Sequence, residues 1–436
     1  MLTHFRLWPV KCSIAIIAAM LYCGKAKTQQ TIIADTTSLN LQQAEKLFLD
    51  SNLYVLAARY NVDAQKALII QAKLIPNPNF SYARGPVIPL HDDLSNYPYS
   101  NFFNNSENAA AFSQLILVAG KRNKNIKIAE ANAQLAELQL FDLIRTLKYT
   151  LRSDFYTIYY LQQSAKVYDQ EIQALQQVVT AFNQQQGKGY IAEKEVVRVK
   201  ALLYSLQSEY NDLINQINDT ESELRTILRV KQKYVVALPD TNKLKSLTPS
   251  NLNLTTLIDT AYASRTDLLI ARKNTQISQL NYSLQKALAI PDVTAIASYD
   301  KQGSYAQHFN SIGFSMDLPF FNRNQGNIKS AKSMIDVNVA TTKATEATVE
   351  EQIFRALQKA YDNQKLYDKI DPAFQKDFER LQKEVFNNYQ KRNISLLDFL
   401  DFYDSYKQNV LQLNNIALNR ISAFEDLNYY TASNIY

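Results

Sequence analysis

Between Ile144 and Phe182 the chain repeats apolar residues in alternating steps of three and four: Ile144, Leu147, Leu151, Ile158, Leu161, Ala165, Tyr168, Ile172, Leu175, Val179 and Phe182. Asp154 alone breaks the seam. A stripe sustained over so many turns is a coiled-coil pattern, not the short face of a globular helix. The helical pattern spans residues 125–186. At 1.5 Å per residue, ~60 residues make a rod on the order of 90 Å long. Gly187-Lys188-Gly189 then offers a turn. Val196, Val199, Leu203, Leu206, Tyr210, Leu213, Ile217, Leu224 and Ile227 carry a matching seam back. The expectation is an antiparallel coiled-coil hairpin.

The plan occurs twice. Phe112-Ser-Gln-Leu-Ile-Leu-Val-Ala-Gly-Lys-Arg-Asn-Lys-Asn-Ile-Lys and Phe314-Ser-Met-Asp-Leu-Pro-Phe-Phe-Asn-Arg-Asn-Gln-Gly-Asn-Ile-Lys share Phe-Ser, a turn and Asn-Ile-Lys at one constant offset. Internal duplication is the expectation. In each copy a strand switches to a long helix, through Gly120-Lys121-Arg122 in the first and residues 322–326 in the second, where Pro319 ends the strand. Strand-like alternation occupies Phe80 and Tyr82 after Pro76-Asn-Pro78, then residues 111–117, 293–299 and 312–318, with residues 85–108 a polar loop and 300–303 a turn. Helical patterns at 41–74 and 252–289 precede the two strand pairs, and another runs from 327 to 389. Lys391-Arg392-Asn393 turns into a last helix with Leu396, Phe399, Tyr403, Tyr406 and Val410 on its seam. The expected division is a leader at 1–26, a first repeat at 27–230 with its strand hairpin at about 79–118, a linker at 231–250, and a second repeat at 251–436 with its strand hairpin at about 292–319. Residues 27–39, polar and Thr-rich, read as a tether.

The leader has the form of a secretory signal. Arg6 and Lys11 precede an apolar run of roughly 12 residues, too short to span a bilayer, and Gly24-Lys25-Ala26 places small residues where a signal peptidase reads. Cys23 either leaves with the signal or accepts a lipid, although the bulky Tyr22 stands before it. Both cysteines lie in this leader, so the mature chain has no disulfide framework. Without residues 1–26 the formal net charge falls from +6 to +3, which gives no case for nucleic acid. No later run of ~18 apolar residues is present, so any membrane crossing must be made by strands. Four strands per chain are too few to close a barrel, and a bilayer does not tolerate open edges. Several copies pooling their strands, a cyclic homo-oligomer, is the economical solution.

Taken in this order, the duplication, Pro76-Asn-Pro78 at the first strand, Leu318-Pro-Phe-Phe-Asn-Arg-Asn-Gln-Gly326 after the fourth and Leu397-Asp-Phe-Leu-Asp401 after the last turn resemble the TolC-like outer-membrane efflux proteins across the mature chain. The Leu-Pro-Phe-Phe form is similar to that of the cobalt-zinc-cadmium subgroup. The resemblance implies an α+β membrane protein, a homotrimer whose strands make a shared 12-stranded barrel in outer-membrane lipid and whose helices make a periplasmic tunnel. It implies a passive exit duct for small molecules or metal cations, docked to a periplasmic adaptor (membrane fusion) protein and an inner-membrane pump. A type I protein secretion duct and a periplasmic coiled-coil scaffold without a pore remain as alternatives.

The same resemblance supplies the candidate residues. Asp398 and Asp401, three apart on a helix, match acids that narrow the periplasmic aperture, and three-fold repetition would make a carboxylate ring that attracts cations. Solvated acids at a helix N-terminus are the plainer reading. Tyr389 and Glu195 fall where the family has a latch between hairpins, while its arginine falls on Ile394, with Arg392 two residues early. The turns at Gly187, Lys188, Gly189 and at Lys391, Arg392, Asn393 are the expected adaptor contacts. His91-Asp92-Asp93 is one histidine with two acids in a long loop, too nonspecific for a metal site, and three His and four Met in the whole chain supply no relay of soft ligands. Tyr97, Tyr99, Phe102 and Phe103 suit either an interfacial aromatic belt or loop packing. No cofactor is implied, and no nucleophile–base pair or phosphate loop points to an enzyme.

Overall fold

The computed structural model describes residues 35–86, 106–231, 233–249, 252–302, 306–371, 373–391 and 393–435. The leader, His91-Asp92-Asp93, the aromatic residues 97–103 and Arg392 lie outside them. In chain order the elements are β1 (Asp35–Leu39), α1 (Leu41–Ser51), α2 (Leu53–Lys73), β2 (Asn79–Pro86), β3 (Ser106–Ile116), α3 (Lys121–Gln186), α4 (Glu193–Leu228), β4 (Lys233–Ala237) and α5 (Thr241–Ser246). There follow α6 (Leu254–Ser264), α7 (Thr266–Leu288), β5 (Val293–Gln302), β6 (Gln307–Met316), α8 (Gln325–Tyr367), α9 (Phe374–Gln390) and α10 (Leu396–Thr431).

The expected coiled-coil hairpin is α3 with α4. Helix α3 has 66 residues, on the order of 100 Å of rise. Leu151, Ile158, Leu175 and Phe182 of its seam are buried, as are Val199, Leu206 and Leu224 of the returning seam. Helix α10 binds the halves together. Ile421 joins Leu151, Phe155 and Ile158 in one apolar cluster, and Phe424 and Leu427 join Val349 and Ile353 of α8 in another. Ionic contacts supplement this belt. Arg152 reaches Glu45 at 2.6 Å and Glu425 at 3.0 Å, linking α3, α1 and α10.

Three expected helices are in fact divided, each at an identifiable residue. Asn40 opens α1 in a capping box with Gln43, but the helix stops at Asn52 rather than continuing to residue 74. The Asn52 carboxamide accepts from the Tyr54 and Val55 amides and donates to the Ile227 carbonyl at 2.9 Å. It thereby offers the backbone an alternative to the helix and pins the junction to α4. The pattern over 252–289 divides at Arg265, held in extended conformation while its guanidinium clasps Asp267 at 2.9 Å. The longest correction concerns residues 327–389. Helix α8 ends at Tyr367 and α9 begins at Phe374; the sequence carries a proline at position 372, a residue type that lacks the amide a continuous helix needs and disfavours helical backbone before it.

Part of the expected tether is a strand. Residues 35–39 pair in parallel with β4, Asp35 opposite Lys233, whose ammonium meets the carboxylate at 3.0 Å. Val235 and Ala237 supply the buried side chains, so the polar partner gives no apolar signal of its own.

The remaining strands form one antiparallel sheet in the order β2-β3-β5-β6, with β2 and β6 at its edges. They outrun the expected bounds. Strand β3 begins at Ser106, inside the expected loop, and β5 continues to Gln302 through the expected turn. Strand β6 stops at Met316, so Pro319 lies beyond the strand instead of ending it. Each strand pair is joined to its long helix by a residue in the left-handed region, Gly120 at φ +66° before α3 and Asn324 at φ +58° before α8. Glycine adopts that conformation without a Cβ penalty. Asn324 adopts it while its carboxamide donates to the Gln285 carbonyl at 2.8 Å. Lys121, buried, donates to the Ile290 carbonyl at 2.6 Å and meets Asp292 at 2.7 Å. The first strand-to-helix joint is thus tied to the start of the third sheet strand.

Candidate functional site

The sheet has two chemically distinct faces. In an antiparallel ladder, directly paired residues share a face. Pairing of Phe80 with Phe112, Phe112 with Ala297 and Ala297 with Ile312 therefore lines them up on one side. Tyr82, Tyr299, Phe314 and Met316 fall on that side as well. These large apolar groups are uncovered, with Phe314 74% and Ile312 94% exposed. The reverse side presents Ser81, Ala111, Ser113, Ser298, Ser311 and Gly313, with Leu115, Ile296 and Phe309 as its larger apolar members. There Ser298 and Ser311 share a hydrogen bond of 2.6 Å. An exposed apolar face of this extent, backed by a side on which small and polar residues predominate, is the kind of alternation that strands of membrane barrels carry. Among the described residues no helix is long and apolar enough to cross a membrane.

At the opposite end of the helices the two turns lie side by side. The first closes with Gly189 at φ +74°, and Tyr190 donates its amide back to the Gln185 carbonyl at 2.9 Å. The second brings α9 against α10, where Tyr389 stacks on Phe399 with ring centroids 4.3 Å apart and stands 6.1 Å from the Phe182 ring. Between the turns is a groove of about 580 Å³ whose walls include Phe182, Tyr190, Glu195, Tyr389, Ile394 and Leu396. Glu195 and Tyr389 thus share one groove, but no hydrogen bond joins them within the protomer. Burial pushes the Tyr389 phenol up, and the Glu195 charge adds to this. Ile394, where the resemblance would place an arginine, packs into the apolar cluster around Phe399.

Asp398 serves in a local contact. It forms a capping box with Ser395, its carboxylate accepting from the Ser395 hydroxyl at 2.7 Å and its amide donating back at 3.1 Å. Asp401, one turn on, is exposed on the same side, while Phe399 and Leu400 between them are buried. Lys188, Gly189, Lys391 and Asn393 are exposed at the turns, as turn residues facing solvent would be.

Two carboxyls stand out that the seam pattern alone did not assign a role. Asp154, the break in the stripe, has a buried Oδ2 without a partner. Burial, reinforced by the Glu223 charge, pushes it up to about 7. Glu171 is 3% exposed, and its Oε1 also lacks a partner. It faces α10, a contact between distant helices that periodicity within α3 does not reveal. Among the described residues no cluster of three His, Cys, Asp or Glu side chains could hold a metal ion.

No protein-family model matches the chain. The cobalt-zinc-cadmium resistance protein CzcC of Cupriavidus metallidurans is 20% identical over 299 residues, spanning 68% of this chain and 67% of CzcC. The CmeC outer membrane channel of Campylobacter jejuni superposes with a TM-score of 0.72 at 15% identity, over 90% of this chain and 85% of CmeC. The MtrE outer membrane channel of Neisseria gonorrhoeae, solved in its open state, gives 0.67 at 16% identity, over 90% and 89% of the respective chains. At these identities the likeness to the solved channels shows the fold.

Proposed function

We propose that this chain, a TolC-like outer-membrane channel protein by its fold, is the exit duct of a tripartite efflux system. Its place is the outer membrane, with the helices reaching into the periplasm. The observation that carries the reading is the sheet. Four strands with one uncovered apolar face and two open edges cannot persist singly in a bilayer, where every backbone group must be satisfied. Three copies pairing β2 of one with β6 of the next remove all edges and enclose the small polar faces in a bore. The two-fold repetition of strand pair, left-handed joint and long helix supports duplication of an ancestral half, with 1–26 as its export signal.

The duct is passive, and a periplasmic adaptor and an inner-membrane pump are its partners. The adaptor docks on the turns around Lys188 and Asn393. Asp398 and Asp401 form the aperture ring, and Tyr389 with Glu195 lies beside it. Metal cations are the favoured cargo, on the strength of the likeness to CzcC. Reconstitution of the full chain in planar bilayers tests the duct: a heat-resistant trimer with discrete conductance steps is expected, and a non-conducting periplasmic oligomer would establish the scaffold alternative. Sensitivity of a deletion strain to cobalt, zinc and cadmium tests the cargo. A co-purifying transporter specialised for proteins would instead indicate type I secretion.

A further inference from the structure

The joints between strands and long helices are held by two kinds of tie. One lies within each repeat, from the joint to the helix that precedes the strands. Arg122 donates to the Lys73 carbonyl at 3.1 Å in the first repeat, and its counterpart Asn324 donates to the Gln285 carbonyl at 2.8 Å in the second. The other tie runs between repeats and is made once. Lys121 reaches the Ile290 carbonyl and the Asp292 carboxylate, and Asp292 also accepts from the Val118 amide at 2.9 Å. This tie closes the end of β3 against the start of β5, where Ile116 stands opposite Val293. It is an interior contact, with the Lys121 side chain 5% exposed.

Both halves of a second such tie are present, at opposite edges of the sheet. Phe320 and Arg323 stand where Val118 and Lys121 stand in the first repeat, at the offset that relates Phe314 to Phe112. Ile75-Pro76-Asn77 stands where Ile290-Pro291-Asp292 stands in the second. The first group follows edge strand β6, and the second precedes edge strand β2. Among the described residues neither the Arg323 guanidinium nor the Asn77 carboxamide has a partner, and both residues are exposed. Apolar groups beside them are uncovered as well: Leu74, Ile75, Phe320 at 73% and Phe321 at 94%.

We propose that Arg323 of one copy closes on the Ile75 carbonyl and the Asn77 side chain of the next, with Phe320 and Phe321 covering Leu74 and Ile75. The joint that Lys121 makes within the chain is thereby repeated between chains. The inference rests on the reading that copies pool their sheets, and it specifies the register of that seam. Transferring the β3–β5 pairing by the same correspondences sets Met316 opposite Phe80, Ser315 opposite Ser81, Phe314 opposite Tyr82 and Gly313 opposite Ala83. Large apolar residues meet on one face and small ones on the other. A slip of one residue would mix the faces. The register comes from the repeat alone, so its agreement with the faces is separate support. A contact of this head-to-tail kind closes a ring of identical chains. The two seams differ in one respect. Asn77 stands where Asp292 supplies a carboxylate, so the seam between copies lacks the stronger, charge-assisted bond of the seam within the chain.

Cross-linking of the full-length protein in outer-membrane fractions tests the register. Ser81→Cys combined with Ser315→Cys should give disulfide-linked oligomers under mild oxidation, since directly opposed residues lie within disulfide range. Ala83→Cys with Ser315→Cys, two residues out of register, should link severalfold less, as should each single variant. Thermal dissociation of the oligomer tests the tie. Asn77→Asp, which restores the missing acid, should raise the dissociation temperature, and Arg323→Gln should lower it and cancel the gain in the double variant. Preferential linking of the out-of-register pair, or a gain from Asn77→Asp that survives Arg323→Gln, overturns the joint. An Arg323→Gln defect that is unaffected by Asn77→Asp and appears only in anionic lipid assigns the arginine to lipid headgroups, and also overturns it. A conducting oligomer without the 81–315 link overturns the joint and leaves the duct standing. The expected links and stabilities without conductance in planar bilayers support the joint and count against the duct.

Discussion

Glu171 and Asp154 are buried acids for which the native packing supplies no full set of partners, and their protonation is therefore linked to folding. Glu171 is raised from its ordinary value of 4.5 to about 8, so between those values the folded chain binds a proton that the unfolded chain has released. Stability tied to this group is fully present below pH 4.5 and is lost as pH rises through 8. Glu171→Gln should flatten that decline. The thermal midpoint of the variant should match the wild type near pH 4 and exceed it at pH 8.5, with a gain of roughly 1–3 kcal/mol for relieving the unsatisfied group. The aperture acids separate in a different way. Asp398 holds a capping box that Asp401 does not share, so Asp401→Asn alone should lower cation selectivity with an unchanged melting temperature. Loss of stability without a change in selectivity would make the acids at this helix start structural. Of these groups, Asp154 was legible as a gap in the stripe. Glu171 was not, because it sits beside the seam and faces a helix more than 200 residues downstream.

At the level of elements, period-based reading recovers the long hairpin because apolar spacing is a local property. The helix interruptions depend on what one polar residue finds across the fold. Asn52 reads as an ordinary mid-helix residue until Ile227 is seen to accept from it. Asn52→Ala removes the cap of α2 and leaves that carbonyl unpaired in a buried setting. A loss of about 1–2 kcal/mol is expected, measurable as a lower thermal midpoint with the oligomeric state unchanged. The break before α9 has a different origin, since Asp371-Pro372 is a helix stop in plain view, overridden in the sequence reading by the apolar pattern on either side of it. The polar strand β1 is the converse case. It exists through backbone pairing with β4, and no side-chain period announces it.

For the whole molecule, the decisive question is which side of the sheet meets lipid, and two adjacent residues of β6 put it to the test. Phe314 points to the uncovered aromatic face and Gly313 to the small polar face. If the sheets of three copies close into a barrel, the first face is solvated by acyl chains and the second by water in the bore. A lysine at the bilayer midplane on the lipid face costs roughly 2–4 kcal/mol per chain, and less toward the interfaces. Three copies multiply that cost at one depth of the barrel. Phe314→Lys should therefore reduce the yield of heat-resistant trimer in outer-membrane fractions severalfold. Gly313→Lys should not, because a Cβ at that position meets no atom within 4 Å, and a water-filled bore solvates the ammonium. Its consequence is electrostatic: three added cations in the bore should lower cation conductance while assembly stays at the wild-type level. The reversed pattern, assembly lost with Gly313→Lys and conductance altered with Phe314→Lys, would turn the sheet inside out. Equal tolerance of both would remove the sheet from the membrane altogether, and with it the barrel on which the duct depends.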